Sequence, residues 1–225
     1  MPSDTTSAIS SRDATAALRA ERDGQWNETP PTSLEQVRAG VAHRRRCDLW
    51  RHATQGVPGE GPAHAALMLV GEQPGDQEDL AGAPFLGPAG RVLDAGLRRA
   101  GIPRGEAFVT NAVKHFKHEL RGKRRLHKTP DAGEIAACRW WLDAERRLVR
   151  PRVIVAMGSS AEAGVFGKPI PIGANRDRTV PLAGGAQGLL TYHPSYLLRL
   201  PDEAAKKAPF GQFVDDPRRA WSLAA

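Results

Sequence analysis

Four short, almost uninterrupted apolar runs recur along this chain, and they restrict its fold more than any other feature. They are Ala66–Val70 (ALMLV), Ala107–Asn111 (AFVTN), Val153–Met157 (VIVAM) and Gly188–Tyr192 (GLLTY). A strand that is apolar at every position, rather than at alternate ones, has to be covered on both faces. The intervening segments supply that cover. Val92, Leu93 and Leu97 recur at helical spacing within 90–100, as do Ile135, Ala136, Trp140 and Leu148 within Asp131–Leu148. Ser159 or Ser160 is suited to cap a short helix, and a last helix is expected around Gln212. Upstream, Ser33-Leu34-Glu35-Gln36 is a capping-box start for a helix reaching about Arg46. The alternation predicts an α/β fold, a three-layer α/β/α arrangement around a central, mostly parallel, four-stranded sheet. Ligands then bind beyond the carboxyl ends of the strands. The polar motifs at 71–79, 111–127 and 193–199 all fall there.

Residues 1–31 are rich in Ser, Thr, Ala, Arg and Asp and hold few large apolar groups. They cannot offset the entropy of ordering, so they are expected to form a mobile tail ahead of one domain spanning 32–225. The net charge of +7 favours a polyanionic partner, of which nucleic acid is the commonest. No apolar run is long enough to span a membrane, and the N-terminus lacks the apolar core of a secretory signal. These features point to a soluble cytoplasmic protein; a bacterial source and a monomer are further expectations. In such a reducing compartment Cys47 and Cys138 are expected to be free or metal-bound rather than bridged.

Three constellations carry chemistry. Gly71-Glu72-Gln73-Pro74-Gly75-Asp76-Gln77-Glu78-Asp79 combines close backbone approach with clustered carboxylates. It is not a phosphate loop, because the Gly-x4-Gly-Lys-Ser/Thr pattern is absent. Phe85, in Pro84-Phe85-Leu86-Gly87-Pro88-Ala89-Gly90, can offer an aromatic face to a base or be ordinary core. Asn111 ends a strand. Its carboxamide sets an acceptor beside a donor, which matches the N3–H and O4 edge of uracil and mismatches that of cytosine; the alternative is a strand-end Asn capping a turn. Lys123-Arg124-Arg125-Leu126-His127 joins phosphate-binding cations to an imidazole, which is a good nucleophile when neutral; taken alone, the run is equally a solvated loop. His193-Pro194-Ser195-Tyr196-Leu197-Leu198-Arg199 places a hydrogen-bond donor at a strand end, followed by apolar residues able to wedge into a base stack.

In order and spacing, Gly-Glu-Gln-Pro-Gly-Asp, Pro-Phe-x-Gly-Pro-Ala-Gly, Val109-Thr110-Asn111, Ala137-Cys138-Arg139 and His193-Pro194-Ser195 resemble the family 4 uracil-DNA glycosylases. The likeness runs over roughly 40–220. The Lys123–His127 insertion looks like the signature of the UdgX branch, which excises uracil and becomes covalently trapped on DNA. The resemblance implies the superfamily fold and a set of roles. Phe85 stacks on a flipped uracil, Asn111 reads its edge, and Gln73 and Asp76 line the pocket. Glu72 is the carboxylate nearest the reacting sugar, His193 stabilises the leaving uracil anion, and His127 is the nucleophile. Lys123, Arg124, Arg125, Ser195, Leu197 and Arg199 contact DNA, with single strands preferred because flipping costs least there.

The resemblance also implies a [4Fe-4S] cluster on four protein ligands. Cys47, His115 and Cys138 stand at three of those positions, and His replaces Cys in some iron–sulfur sites. Arg44 occupies the remaining position, the first in chain order, with His43 one residue away as a substitute. Alternatively the two cysteines are small buried hydrophobes. Three functions stay open: a covalently trapped glycosylase, a multiple-turnover glycosylase in which His127 only positions its loop, and a non-catalytic uracil or single-strand sensor.

Overall fold

The computed structural model describes residues 29–43, 46–168, 170–176 and 178–225. Most of the expected N-terminal tail, and Arg44, lie outside them. Five strands form the main sheet. They are β1 (Leu67–Gly71), β2 (Ala107–Asn111), β5 (Val153–Met157), β6 (Val180–Pro181) and β7 (Gln187–Thr191), in the order β2-β1-β5-β7-β6. The first four neighbours pair in parallel, and β6 adds a two-residue antiparallel edge to β7. The four apolar runs thus become the four parallel strands, each within a residue or so of its expected bounds. The fifth strand was not expected, because two residues carry no periodicity.

The double-sided cover follows from the pleat. Leu67 and Leu69 of β1 point to one face with Val109, Val153, Val155 and Leu189. There they meet Leu93 and Leu97 of α3 (Pro88–Ala100) and Phe213 and Ala220 of α8 (Glu203–Ala224). Met68 and Val70 point the other way with Phe108, Ile154 and Ala156, onto Leu142 of α4 (Ala132–Val149) and Val165 of α5 (Ser159–Phe166). Each fully buried aliphatic side chain contributes about 1.5–3 kcal/mol. Helix α4 opens on Asp131, whose carboxylate accepts from Glu134 N while the Glu134 side chain accepts from Asp131 N, a capping box. The first helix, α1, is described over Leu34–His43, and residues 44 and 45 of its expected last turn lie outside the described residues.

Three features shape the ground beneath the strand ends. A short helix, α2 (Asp76–Ala81), follows the loop after β1. Behind β2, the fully buried Lys114 ammonium donates to Thr110 Oγ1 at 2.7 Å, Asn111 O at 2.8 Å and Glu145 Oε2 at 2.7 Å. Its partner Glu145 also accepts from Gly59 N at 2.8 Å. A separate antiparallel hairpin then projects from the domain: β3 (His118–Arg121) and β4 (Arg124–His127), joined at Gly122-Lys123. Gly122 takes φ 62°, the left-handed region that such two-residue turns require. Two remaining helices are short, α6 (Ile172–Asn175) and α7 (Pro194–Leu198). No described helix is long and apolar enough to cross a membrane.

Candidate active site

Strand order locates the site. The chain runs from β1 outward to β2 and then returns to the other side of β1 as β5, so the switch point lies between β1 and β5. At the carboxyl ends of the strands there opens a cavity of about 790 Å3. Glu72 enters it directly after β1, Asn111 from the last position of β2, Gly158 and Ser159 after β5, and Tyr192 and His193 after β7.

Glu72 is the centre of the polar network. Its Oε1 lies 3.0 Å from His127 Nε2, and its Oε2 accepts from Ser160 Oγ at 2.6 Å. Burial alone would raise this carboxyl. The hydrogen bonds from His127 and Ser160, with the His127 and His193 rings close by, outweigh burial and hold it below the usual carboxylate range. Glu72 is therefore an anion, and the nitrogen facing it carries the ring proton of His127. Ser160 bridges the switch point to do this. It does not cap α5, whose N-cap is Gly158.

His127 ends the hairpin, and three ties hold the hairpin to the body. Gln73 Nε2 donates to Lys117 O at 3.1 Å and Lys128 O at 3.0 Å, and its Oε1 accepts from Lys117 N at 3.0 Å. Although Gln73 lines the cavity, its amide is fully engaged at the base of the hairpin. Arg125 Nε donates to Asp76 Oδ1 at 2.6 Å, and its Nη1 donates to Asp79 Oδ2 at 2.5 Å and Thr54 Oγ1 at 3.0 Å. The third tie is the His127–Glu72 contact itself. Arg125 was expected on the DNA-facing side, yet it is turned inward. Lys123 and Arg124 are the exposed cations of the run. The acidic loop divides likewise. Asp79 is fully buried under Arg125, and Glu78 accepts from Gly75 N at 3.0 Å and Gly87 N at 2.8 Å, so both shape the loop.

Opposite the hairpin stand Phe85, Asn111 and His193. Phe85 is buried and adopts φ 59°, a strained conformation of the kind that collects at functional sites. A Cβ on Gly71 would come within 2.5 Å of both Asn111 Oδ1 and the Phe85 ring, so the last position of β1 must be glycine for these two to close on the cavity. The His193 ring lies 6.3 Å from that of Phe85, centroid to centroid. Burial pushes its pKa down to about 4, so the ring is neutral. Its Nδ1 accepts from Ser195 N at 3.2 Å and lies 2.8 Å from Ser195 Oγ. That fixes the tautomer: the proton sits on Nε2, free to donate to a ligand. Arg199 Nη1 donates to Ser195 Oγ at 3.0 Å, so Ser195 and Arg199 brace His193. Leu197, expected as a wedge, is instead buried in the core. One step further round α7, Leu198 is 46% exposed and lines the cavity.

Sequence reasoning missed Ser160 and the Asp79–Thr54 end of the Arg125 clasp. It also missed the Tyr192–Tyr196 pair, which lines the cavity with ring centroids 5.1 Å apart. The Gly122-Lys123 pair between short segments was the one local signal, and it marks a hairpin.

The expected cluster ligands are only partly assembled. Cys47 and Cys138 are buried free thiols in one apolar cluster with Leu49, Val113 and Ile135. They hydrogen-bond to each other, and that bond, together with burial, pushes Cys138 well up. His115 is buried, its Nδ1 has no hydrogen-bond partner, and burial lowers its pKa to about 4. An orphaned imidazole nitrogen is the kind of donor a metal takes. His43 is exposed at the end of α1. Among the described residues, no three such side chains are grouped to hold a metal. The described residues therefore do not fit a four-ligand cluster.

Residues 58–217 match the family model of the uracil DNA glycosylase superfamily. The chain is 38% identical over 167 residues to the type-4 uracil-DNA glycosylase of Thermotoga maritima, covering 74% of this chain and 83% of that one. It is 34% identical over 175 residues to the type-4 enzyme of Pyrobaculum aerophilum, covering 75% and 86%. Against the type-5 uracil-DNA glycosylase of the same organism the identity is 28% over 180 residues, covering 73% and 76%. With the match spanning the strands, the switch-point cavity and its polar rim, the chain belongs to the uracil DNA glycosylase superfamily.

Proposed function

We propose that this protein excises uracil from DNA, single-stranded by preference, and is then captured through His127 on the abasic sugar. The observation that carries the reading is the 3.0 Å contact between His127 Nε2 and Glu72 Oε1 inside the cavity that also holds Asn111 and His193. A flipped uracil lies against Phe85 with its edge on Asn111. Cleavage sends the electron pair of the C1′–N1 bond onto uracil, where the Nε2–H of neutral His193 meets the growing negative charge. Positive charge builds on the sugar in an oxocarbenium-like transition state, and the Glu72 carboxylate stabilises it. The His127 ring then forms a C–N bond to C1′ and gives up one proton, which Glu72 is near enough to accept. An imidazole bonded to C1′ is a poor leaving group at neutral pH, so turnover stops. Lys123 and Arg124 hold the strand by its phosphates. No step of this chemistry draws on an iron centre, and an iron count on purified protein decides whether one is present.

The test is a denaturing gel with uracil-containing single-stranded DNA. Wild type is expected to give a denaturant-resistant adduct. His127→Ser is expected to lose it, release uracil and leave a cleavable abasic site. Turnover by wild type without an adduct supports the multiple-turnover alternative, and no product from either protein supports a sensor. An adduct that persists in His127→Ser overturns the assignment.

A further inference from the structure

A second cavity, of about 850 Å3, opens at the other end of the sheet. Its lining includes Arg150 and Pro151, which lead into β5, and Ala186, which leads into β7. These are the amino ends of strands whose carboxyl ends hold the first cavity. A five-residue strand separates the two by about 17 Å.

The lining is unusually cationic. Arg139, Arg146 and Arg150 share one stripe of α4 and its C-cap with Asp143, at i, i+7, i+11 and i+4. Arg147 joins from the same turn, and Lys168 converges from the segment after α5. Asp143 is the single acid among the described lining residues. It is already shared between Arg139 at 3.4 Å and Arg146 at 3.0 Å. Arg146 is only 12% exposed, and its charge is held away from water with a shared carboxylate and, at 3.4 Å, the Val165 carbonyl as acceptors. Burial and the charge of Arg139 both pull its pKa down. Cations in a last helical turn complement the helix dipole, which accounts for Arg146 and Arg147. It does not account for Arg139 in mid-helix or for Lys168 arriving from another element. Nor does it explain Arg150, which holds φ 53° at a C-cap where glycine is the easy residue. Facing the cations is an apolar wall that includes Ile154, Phe166 and Leu182.

We infer that this cavity is a second nucleic-acid site, which takes the phosphodiester backbone of a single strand on its arginines and an unstacked base against the Phe166–Leu182 wall. The cations recognise phosphate and the wall recognises the face of any base, so binding is indifferent to sequence and to uracil. A duplex offers no free base face to such a wall. Free nucleotides share the chemistry, and the test separates the two sources.

The probe is a fluorescent, uracil-free oligothymidylate, followed by anisotropy across a salt series with the full chain. The variant is Arg150→Gly combined with Lys168→Ala. Glycine suits the left-handed C-cap, so folding is expected to hold or improve while two phosphate contacts are lost. With about 0.7 counterions released per single-strand phosphate contact, the slope of log K against log salt should shrink by about 1.4. Adduct formation on a short uracil oligonucleotide should not change. An unchanged slope and affinity for oligothymidylate overturns the inference. Thymidine monophosphate binding that the variant loses, with oligothymidylate binding intact, overturns it in favour of a nucleotide site. The probe carries no uracil, so this result stands apart from the reading of the first cavity.

Discussion

Arg125→Ala separates two physical roles for the basic run. If Arg125 held DNA, its loss would weaken binding and lower the salt slope by about one contact. Its geometry says otherwise. The guanidinium bonds Asp76 at 2.6 Å, Asp79 at 2.5 Å and Thr54 at 3.0 Å, and the Asp79 side chain is fully buried. Removing one partner of a buried ion pair costs about 3–5 kcal/mol. Asp79 keeps hydrogen bonds from Thr54 N at 3.0 and 3.1 Å, and Arg125 is 18% exposed, so the cost falls to or somewhat below the bottom of that range. A loss of about 2–3 kcal/mol is expected on chemical denaturation. The hairpin stands outside the main sheet, and a lone hairpin is marginal in water, so His127 would drift once this tie is gone. A displacement of about 1 Å costs on the order of 100-fold in rate. Single-turnover adduct formation at saturating DNA should fall by that factor, while the salt slope of binding stays constant. Arg125→Lys should recover only part, because an ammonium cannot fork between Asp76 and Asp79. A normal adduct rate at saturation with a reduced salt slope would refute the clasp.

Ser160→Ala removes a 2.6 Å hydrogen bond to the Glu72 carboxylate, worth about 1.5–3 kcal/mol for a charged acceptor. Uracil release should slow by roughly 10- to 100-fold, and the acid limb of its pH profile should move up as Glu72 loses a donor. Ser160→Thr should restore both, whereas an unmoved limb means that Ser160 only packs. Glu145→Ala strands the buried Lys114 ammonium and should cost about 3–5 kcal/mol in urea denaturation. The double variant Lys114→Met, Glu145→Leu should cost far less, and equal losses would mean that the pair matters for packing alone. His193 is depressed to about 4 when folded, against about 6.5 unfolded. Between those values the unfolded chain binds more protons, so stability should rise with pH through this window and be lost as pH falls towards 4. His193→Asn should flatten that dependence in denaturation curves taken across the window.

Much of this architecture was legible in the sequence, for a simple reason. A parallel strand buried on both faces is apolar at every position, so Leu67–Gly71 and Val153–Met157 announce themselves locally. The hairpin does not. β3 and β4 carry Glu119, Arg121, Arg124 and Arg125, and Leu120 is 71% exposed, so no alternation betrays a pair held by its turn and by three ties to the body. The facing of α7 was equally hidden. Leu197 and Leu198 are chemically identical, and only the roughly 100° step between helical neighbours decides which is core and which is rim.

The same division holds within the site. Glu72, Asn111, His127 and His193, which line one cavity, could be proposed from residue type together with the family resemblance, since each chemical role admits few side chains. Ser160 and Arg125 could not, because their roles are relations across 88 and 49 positions of chain. Serine after a strand reads as a helix cap, and arginine in a basic run reads as a phosphate ligand. Both local readings are sound physics, and tertiary partners overrule them. Glu72 offers the Ser160 hydroxyl a half-buried anion to donate to at 2.6 Å across the switch point, a charge-assisted hydrogen bond stronger than a helix cap would give it. Asp79, fully buried, takes its cation from the hairpin. The groups proposed for the chemistry were therefore open to choice from sequence because chemistry limits their identity, whereas the groups that aim them were not, because any donor in reach would serve and only the fold decides which one is in reach.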